Sequence, residues 1–423
     1  MRIKITILLI SIALGAFAQT FPVGFMSINF KDPSRSGGTT IANSVQMPGA
    51  GRDIGAAVFY PAVSAGTNVA VANGNFPIVV FGHGFLMTYD SYNNIYNSLA
   101  SNGYIVILPR TEGSAAPNHL EFGKDLAFLA EQFKSFNSAS TPSSITIFNG
   151  KVSQSCAIGG HSMGGGCSFI GAQNNTSITC VFNMAAATSN TSGVSSLAGA
   201  SLISVPCLVL SGQRDCVVDT TVQNAHYSNL SSSKKFHVIS KGLTHCDFGN
   251  GSSFNCTFGQ NASGCSNTIS NSLAFTSYMN YLLPFLNNQL KSDCSEGVRF
   301  MDSISNPSSL RTGRKIVGTI ACTSSDLSNY TRQNSVSLFP NPTATNLYLK
   351  FKSNIQSFTN LCITDKLGRI VYTLDGKSIT NSSNEIILET SELNAGIYFI
   401  NIYYNSYKET YKFIKEKVSS RYQ

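Results

Sequence analysis

Short, continuous apolar runs separated by helical stretches fill the middle of this chain, and they leave few folds open. "PIVVFG" (77–82) is followed by the helical "SYNNIYNSLASNG", and "YIVILP" (104–109) by the amphipathic "LEFGKDLAFLAEQF". "SCAIGG" (155–160), "SITCVFNM" (177–184), "VPCLVLSG" (205–212) and "KKFHVIS" (234–240) continue the series, and the helix "NSLAFTSYMNYLLPFLNNQL" closes it near Leu290. A strand that is apolar at every position must be buried on both faces. Such strands alternating with helices predict a mostly parallel sheet covered on both sides. The expectation is an α/β domain over residues 19–290, its alternation plain from about residue 54.

Beyond that domain the texture changes. Residues 291–334, with "SNPSSLRTGRK" and "CTSSDLSNYTRQNS", show no periodicity and are expected to be a linker. Residues 335–423 carry alternating runs parted by turn residues, "SVSLFPNPTATNLYLKF", "LCITDKLGRIVYTL", "NEIILETSEL" and "GIYFINIYYN", which predict a small β-sandwich. A chain of 423 residues exceeds one compact core, in keeping with two domains.

The first residues, "MRIKITILLISIALGAFAQT", combine a basic start at Arg2 and Lys4, an apolar run and the small-residue pattern Ala16-Phe17-Ala18. They predict a secretory signal over residues 1–18, removed before Gln19 and too short to serve as a membrane anchor. No later stretch is apolar enough to span a bilayer, so no transmembrane segment is expected. The net charge of +8 is scattered without a Lys/Arg block and argues against nucleic acid as a partner. Eleven cysteines in an exported chain predict disulfides. None shows CxxC spacing and none clusters with histidines, so no metal and no cofactor is expected.

The chemistry gathers around "CAIGGHSMGGGCSFIG" (156–171). Ser162 falls where a strand gives way to a helix. That turn strains the residue at its apex, and Gly160 and Gly164 relieve the crowding around it. The helix N-terminus behind Ser162 favours negative charge at the hydroxyl. A serine there needs a base and an acid, in the chain order serine, acid, histidine. Asp215 in "VLSGQRDCVVD" and His245 in "VISKGLTHCDF" each follow a strand and fall on the same sheet edge as Ser162. Asp219 is expected to cap the next helix, His237 to be packed inside a strand, His226 to sit mid-helix and His119 in a loop. Asp247 follows His245 too closely to support it. "GHGF" after the first strand places the Phe85 N–H as one oxyanion donor, with the Met163 N–H as the other.

Residues 54–290 resemble the dienelactone-hydrolase-like branch of α/β-hydrolases, which includes bacterial cutinases, poly(ethylene terephthalate) hydrolases, platelet-activating-factor acetylhydrolases and chlorophyllases. "GHSMGGG", "FGHGF…YNSLASNGYIVILP" and "VPCLVLSGQRDCVV" carry the likeness. It implies a Ser162, Asp215, His245 triad, an oxyanion hole at Phe85 and Met163, and a substrate cleft lined by the Phe85 ring and His161. Polyester hydrolases of this kind usually place a Trp in the loop that here reads "NMAAATSNTSG", and this chain has no Trp. Cys216 and Cys246 directly follow the acid and the histidine, so a Cys216–Cys246 disulfide is expected to tie the two loops. Some polyester hydrolases staple these same loops. Pairing of either with Cys256 or Cys265 is the alternative.

"LFPNPTATNLYL", "DKLGRIVY", "GIYFINI" and "YKFIK" resemble the type A sorting domain of the type IX secretion system of Bacteroidetes. This implies contact with that machinery and a secreted or outer-surface location. The combined expectation is a monomeric, exported serine esterase acting on small-molecule or polymeric esters. The rivals are a lipase or phospholipid-acetyl hydrolase, a peptidase, and a non-catalytic surface-binding protein.

Overall fold

The computed structural model describes residues 21–137, 143–320, 336–351, 360–365, 370–375, 384–403 and 408–417. The expected signal at residues 1–18 lies outside them. The chain divides into two compact units, Met1–Cys322 and Thr323–Gln423.

The first unit is built on one large sheet. Its main strands are β1 (Val23–Asp32), β2 (Arg52–Pro61), β3 (Phe76–Gly82), β4 (Ile105–Pro109), β5 (Val152–His161), β6 (Cys180–Met184), β7 (Cys207–Gly212), β8 (Lys235–Ser240) and β9 (Arg311–Val317). They lie in the order β9-β8-β7-β6-β5-β3-β4-β2-β1, with three two-residue strands at the β1–β2 side. From β4 through β3, β5, β6 and β7 to β8 every pairing is parallel, whereas β2 runs antiparallel to β1 and β4.

The helices are α1 (Asn93–Ser101), α2 (His119–Lys134), α3 (Met163–Ala172), α4 (Ser196–Ala200), α5 (Thr220–Asn229), α6 (Phe254–Ala262), α7 (Asn271–Lys291) and α8 (Cys294–Ser305). The continuous apolar strands serve two cores at once. Ile78, Val80, Ile158 and Val209 join one cluster with Phe122 and Phe133 of α2, while Val79, Phe81, Phe182 and Leu210 join another with Leu282 and Leu286 of α7. This is the burial on both faces that the apolar runs demand.

The expected linker at 291–334 needs correction, because α8 and β9 lie within it. Asp293 caps α8 by accepting the N–H groups of Ser295 and Glu296, and Gly297, Phe300 and Ile304 form its buried stripe. Phe300 packs edge-on to Phe236 of β8 with ring centroids 4.9 Å apart. β9 extends the sheet antiparallel to β8. Its "RTGRKIV" buries no residue, and the Arg311 guanidinium donates to the Ser303 carbonyl at the end of α8 at 2.8 Å. A charged edge strand and a helix with three anchors give no strong periodic signal, which hid them in the sequence.

Two histidines are structural. His237 Nε2 lies 2.6 Å from Ser211 Oγ, and His226 Nε2 lies 2.9 Å from Ser196 Oγ, both fully buried. Burial lowers each from 6.5 to about 4. Well above pH 6.5 both are neutral folded or unfolded and do nothing to stability. As the pH falls from about 6.5 to 4 the unfolded chain takes up protons first, so stability is lost across that window. At about 1.4 kcal/mol per pH unit per group, we expect a drop in thermal midpoint of about 10 °C between pH 7 and pH 4.5. Calorimetry should show the drop shrink in a His226→Gln, His237→Gln double variant, while His83 and His161, buried and likewise held below the ordinary range, carry the rest.

The second unit holds β10 (Val336–Phe339), β11 (Asn346–Phe351), β12 (Asn360–Asp365), β13 (Ile370–Asp375), β14 (Glu385–Glu389), β15 (Gly396–Tyr403) and β16 (Lys408–Lys415). They form an antiparallel sheet β10-β11-β14 and a second one, β13-β12-β15-β16. Leu347, Leu349 and Leu388 of the first sheet share a core with Leu361, Ile400 and Phe413 of the second, which makes a sandwich.

Candidate active site

Because β3, β5, β7 and β8 are parallel, the loops leaving them emerge at one sheet edge. Those loops carry Phe85, Ser162, Asp215 and His245.

Ser162 stands between β5 and α3 with φ +54° and ψ −119°, a conformation costly for a residue with a Cβ. Neighbouring backbone holds it there. Its N–H donates to the Met184 carbonyl at 3.0 Å, and its own carbonyl accepts from Ala187 at 2.8 Å and Gly166 at 3.0 Å. The turn is tight enough to exclude side chains nearby. A Cβ on Gly164 would lie 2.2 Å from the Gly82 carbonyl carbon, and one on Gly160 would lie 2.6 Å from the Gly164 carbonyl carbon. The crowding expected at Gly160 and Gly164 is therefore backbone against backbone.

The three polar side chains meet. His245 Nε2 is 2.9 Å from Ser162 Oγ, and His245 Nδ1 is 2.8 Å from Asp215 Oδ2. Asp215 Oδ1 accepts the N–H groups of Val217 at 2.9 Å and Val218 at 2.8 Å, so the carboxylate cannot swing away. All three residues are more than nine-tenths buried. A carboxylate facing Nδ1 puts the imidazole proton there and leaves Nε2 bare toward the hydroxyl. The competitors are occupied elsewhere. Asp219 caps α5 through Thr221 and Val222, and Asp247 accepts from the Thr244 N–H and hydroxyl. His119, expected in a loop, instead opens α2.

Phe85 follows β3 and is 47% exposed, and Met163 is the first residue of α3. Among the described residues neither amide N–H has a protein partner, so both can take an acceptor from outside. Among the same residues no three His, Cys, Asp or Glu side chains group as metal ligands would.

His161 corrects an expectation. The resemblance implies that it lines the cleft, yet it is fully buried, with Nδ1 2.9 Å from Tyr92 Oη and Nε2 3.0 Å from the His245 carbonyl. The last residue of β5 points into the packing beneath the histidine loop.

The disulfide also differs. Cys216 pairs with Cys265 and Cys246 with Cys256, with Cα–Cα distances of 6.0 and 5.8 Å. Gln260 of α6, which lies between Cys256 and Cys265 in sequence, touches both Cys216 and Cys246. Its carbonyl lies 3.9 Å from Cys216 Sγ, and its side-chain oxygen accepts the Cys246 N–H at 2.8 Å. Acid and histidine loops are thus braced to a common strut, the 256–265 segment. The only sequence signal for it was the pair of cysteines in the loop after the histidine.

With sequence separations of 49 and 10, loop-closure entropy assigns about 4 and about 3 kcal/mol to these bonds. A Cys256→Ser, Cys265→Ser variant is expected to lose about 10 °C or more in thermal midpoint. Its kcat on any ester the wild type turns over should fall about tenfold or more, because loop displacements of about 1 Å are enough.

A parallel sheet with a serine on the sharp turn after a central strand, and an acid and a histidine on later loops of the same edge, defines an α/β-hydrolase domain. Comparison refines that class: residues 61–206 match the chlorophyllase family, and residues 337–416 match the secretion system C-terminal sorting domain. No curated protein matches the chain closely enough to name a relative. The protein is an α/β-hydrolase followed by a sorting tail, and that tail directs it through the type IX secretion system to the cell surface or beyond. Among the described residues no helix is long and apolar enough to cross a membrane.

Proposed function

We propose that the exported domain is a serine esterase that cleaves carboxylic esters through an acyl-enzyme, with Ser162 as nucleophile, His245 as general base and acid, and Asp215 as its orienter. One observation carries this reading: the unbroken hydrogen-bond chain from Asp215 through His245 to Ser162. Ser162 Oγ attacks the ester carbonyl as its proton passes to His245 Nε2, and Asp215 balances the imidazolium. The carbonyl oxygen becomes an oxyanion, received by the Phe85 and Met163 N–H groups. His245 then returns the proton to the leaving alcohol, and water, activated by the same base, releases the acid and frees the serine.

The chlorophyllase match supports an ester rather than a peptide as substrate. The rim supports an apolar one. Phe85 is half exposed, and Phe254 and Phe258 of α6 are 77% and 65% exposed and stack on each other 6.0 Å apart. Asn255, between them, donates to the Leu86 carbonyl at 2.8 Å and holds α6 against the Phe85 loop. Long acyl chains and polyesters both suit such a rim. A chain without Trp has less to offer an aromatic polyester, so aliphatic ones are favoured.

Fluorophosphonate labelling tests the reading. One equivalent should attach at Ser162 and abolish hydrolysis across a panel of p-nitrophenyl esters and polyester films. A protein that turns over none of these, and resists the label, would be a surface-binding protein instead.

A further inference from the structure

Beside the catalytic loops, the mechanism leaves the buried pair Tyr92 and His161 unused. Tyr92 lies in the short turn Tyr89–Tyr92 after the Phe85 loop, its ring fully buried beside Phe81 at 4.9 Å. Its hydroxyl meets the Gly84 N–H at 2.8 Å, Met87 Sδ at 3.2 Å and His161 Nδ1 at 2.9 Å. His161 in turn reaches the His245 carbonyl through Nε2, and its ring lies 4.7 Å from the His245 ring and 5.9 Å from Phe248.

Donor and acceptor roles along this path follow from its ends. A carbonyl only accepts, so His161 Nε2 carries the proton and Nδ1 is bare. Tyr92 then donates its O–H to Nδ1, and its oxygen accepts the Gly84 N–H. The path runs from the residue before Phe85 to the backbone of His245. Each bond polarises the next, and the buried setting strengthens them all.

Packing alone would be served more cheaply by apolar side chains, since buried polar groups gain little net stability. Burial and the nearby His245 hold His161 well below its ordinary range, so it stays neutral. A neutral ring at 4.7 Å tolerates the imidazolium that forms on His245, whereas a charged one would oppose it.

We infer that Tyr92 and His161 are positioning residues: a buried bridge that keeps the Phe85 oxyanion loop in register with His245. This rests on the esterase reading, because the register matters only if both loops act on one transition state.

The experiment is steady-state kinetics on p-nitrophenyl butyrate together with thermal unfolding. Tyr92→Phe keeps the ring and removes one hydroxyl. It should lower kcat about 10- to 100-fold with KM within about threefold, while one cooperative unfolding transition is retained. His161→Leu should lose as much or more. His161→Gln can donate to the His245 carbonyl and accept from Tyr92, and should recover most of what the leucine loses.

Tyr92→Phe with kcat within twofold of wild type overturns the bridge. So does a glutamine no better than leucine, or a loss of kcat that appears only with the loss of the folding transition. Ser162→Ala is run alongside. Turnover that survives there ends the esterase reading itself, whereas turnover lost there but intact in Tyr92→Phe ends only the bridge.

Discussion

Ser162→Ala is expected to lower kcat/KM for any ester the protein hydrolyses by about 10⁴- to 10⁶-fold, since among the described residues the hydroxyl on His245 Nε2 is that of Ser162. The residual rate reports what the two free amides and substrate binding contribute without a nucleophile. Alanine keeps the Cβ and hence the cost of φ +54° at this position, so stability should barely change. Ser162→Gly makes a different prediction. It should be equally inactive, yet gain about 1–2 kcal/mol by releasing the positive-φ strain, read as a thermal midpoint a few degrees higher. Those two outcomes together would make Ser162 a trade of stability for function. If the glycine variant is no more stable than the alanine one, the turn stores no strain. If the alanine variant keeps more than about one per cent of activity, the nucleophile lies elsewhere.

The part of this site legible in the sequence is the part fixed by topology. Six apolar runs became the six parallel strands β3 to β8, because a strand buried on both faces has no polar position to blur it. Once strand ends were known, Ser162, Asp215 and His245 fell on one edge, and their meeting followed from sheet order. What sequence reading missed depends on side-chain direction or on weak anchoring. β1 alternates buried and half-buried residues at the sheet margin and carries no helix signal around it. His161 looked like cleft lining by likeness, but a residue one before the elbow points to the opposite side from the serine. The neighbours of Cys216 and Cys246 meet, which suggests a bond between the two, yet each pairs with a cysteine of the 256–265 segment. Neither a bridging helix nor the direction of a ring can be read from spacing.

Asp215→Asn is expected to cost about 10³- to 10⁴-fold in kcat with little change in fold, for a reason set by the two amides behind the carboxylate. Val217 and Val218 both donate to Oδ1, and Oδ2 faces His245 Nδ1 at 2.8 Å. Asparagine has one acceptor atom. The backbone donors cannot turn, so its oxygen must stay with them and its NH₂ must face the imidazole. Two N–H groups would then point at each other unless His245 moves its proton to Nε2. That proton would aim at Ser162 Oγ, 2.9 Å away, and occupy the lone pair that has to accept from it. The variant thus keeps every heavy atom in place and reverses the direction of the hydrogen-bond chain. Proton NMR gives the check, because the downfield Nδ1–H resonance of wild-type His245 should vanish in Asp215→Asn. A variant within tenfold of wild-type kcat would mean another carboxylate orients the histidine. Asp247 is the nearest in sequence, and Asp247→Asn would then carry the loss instead.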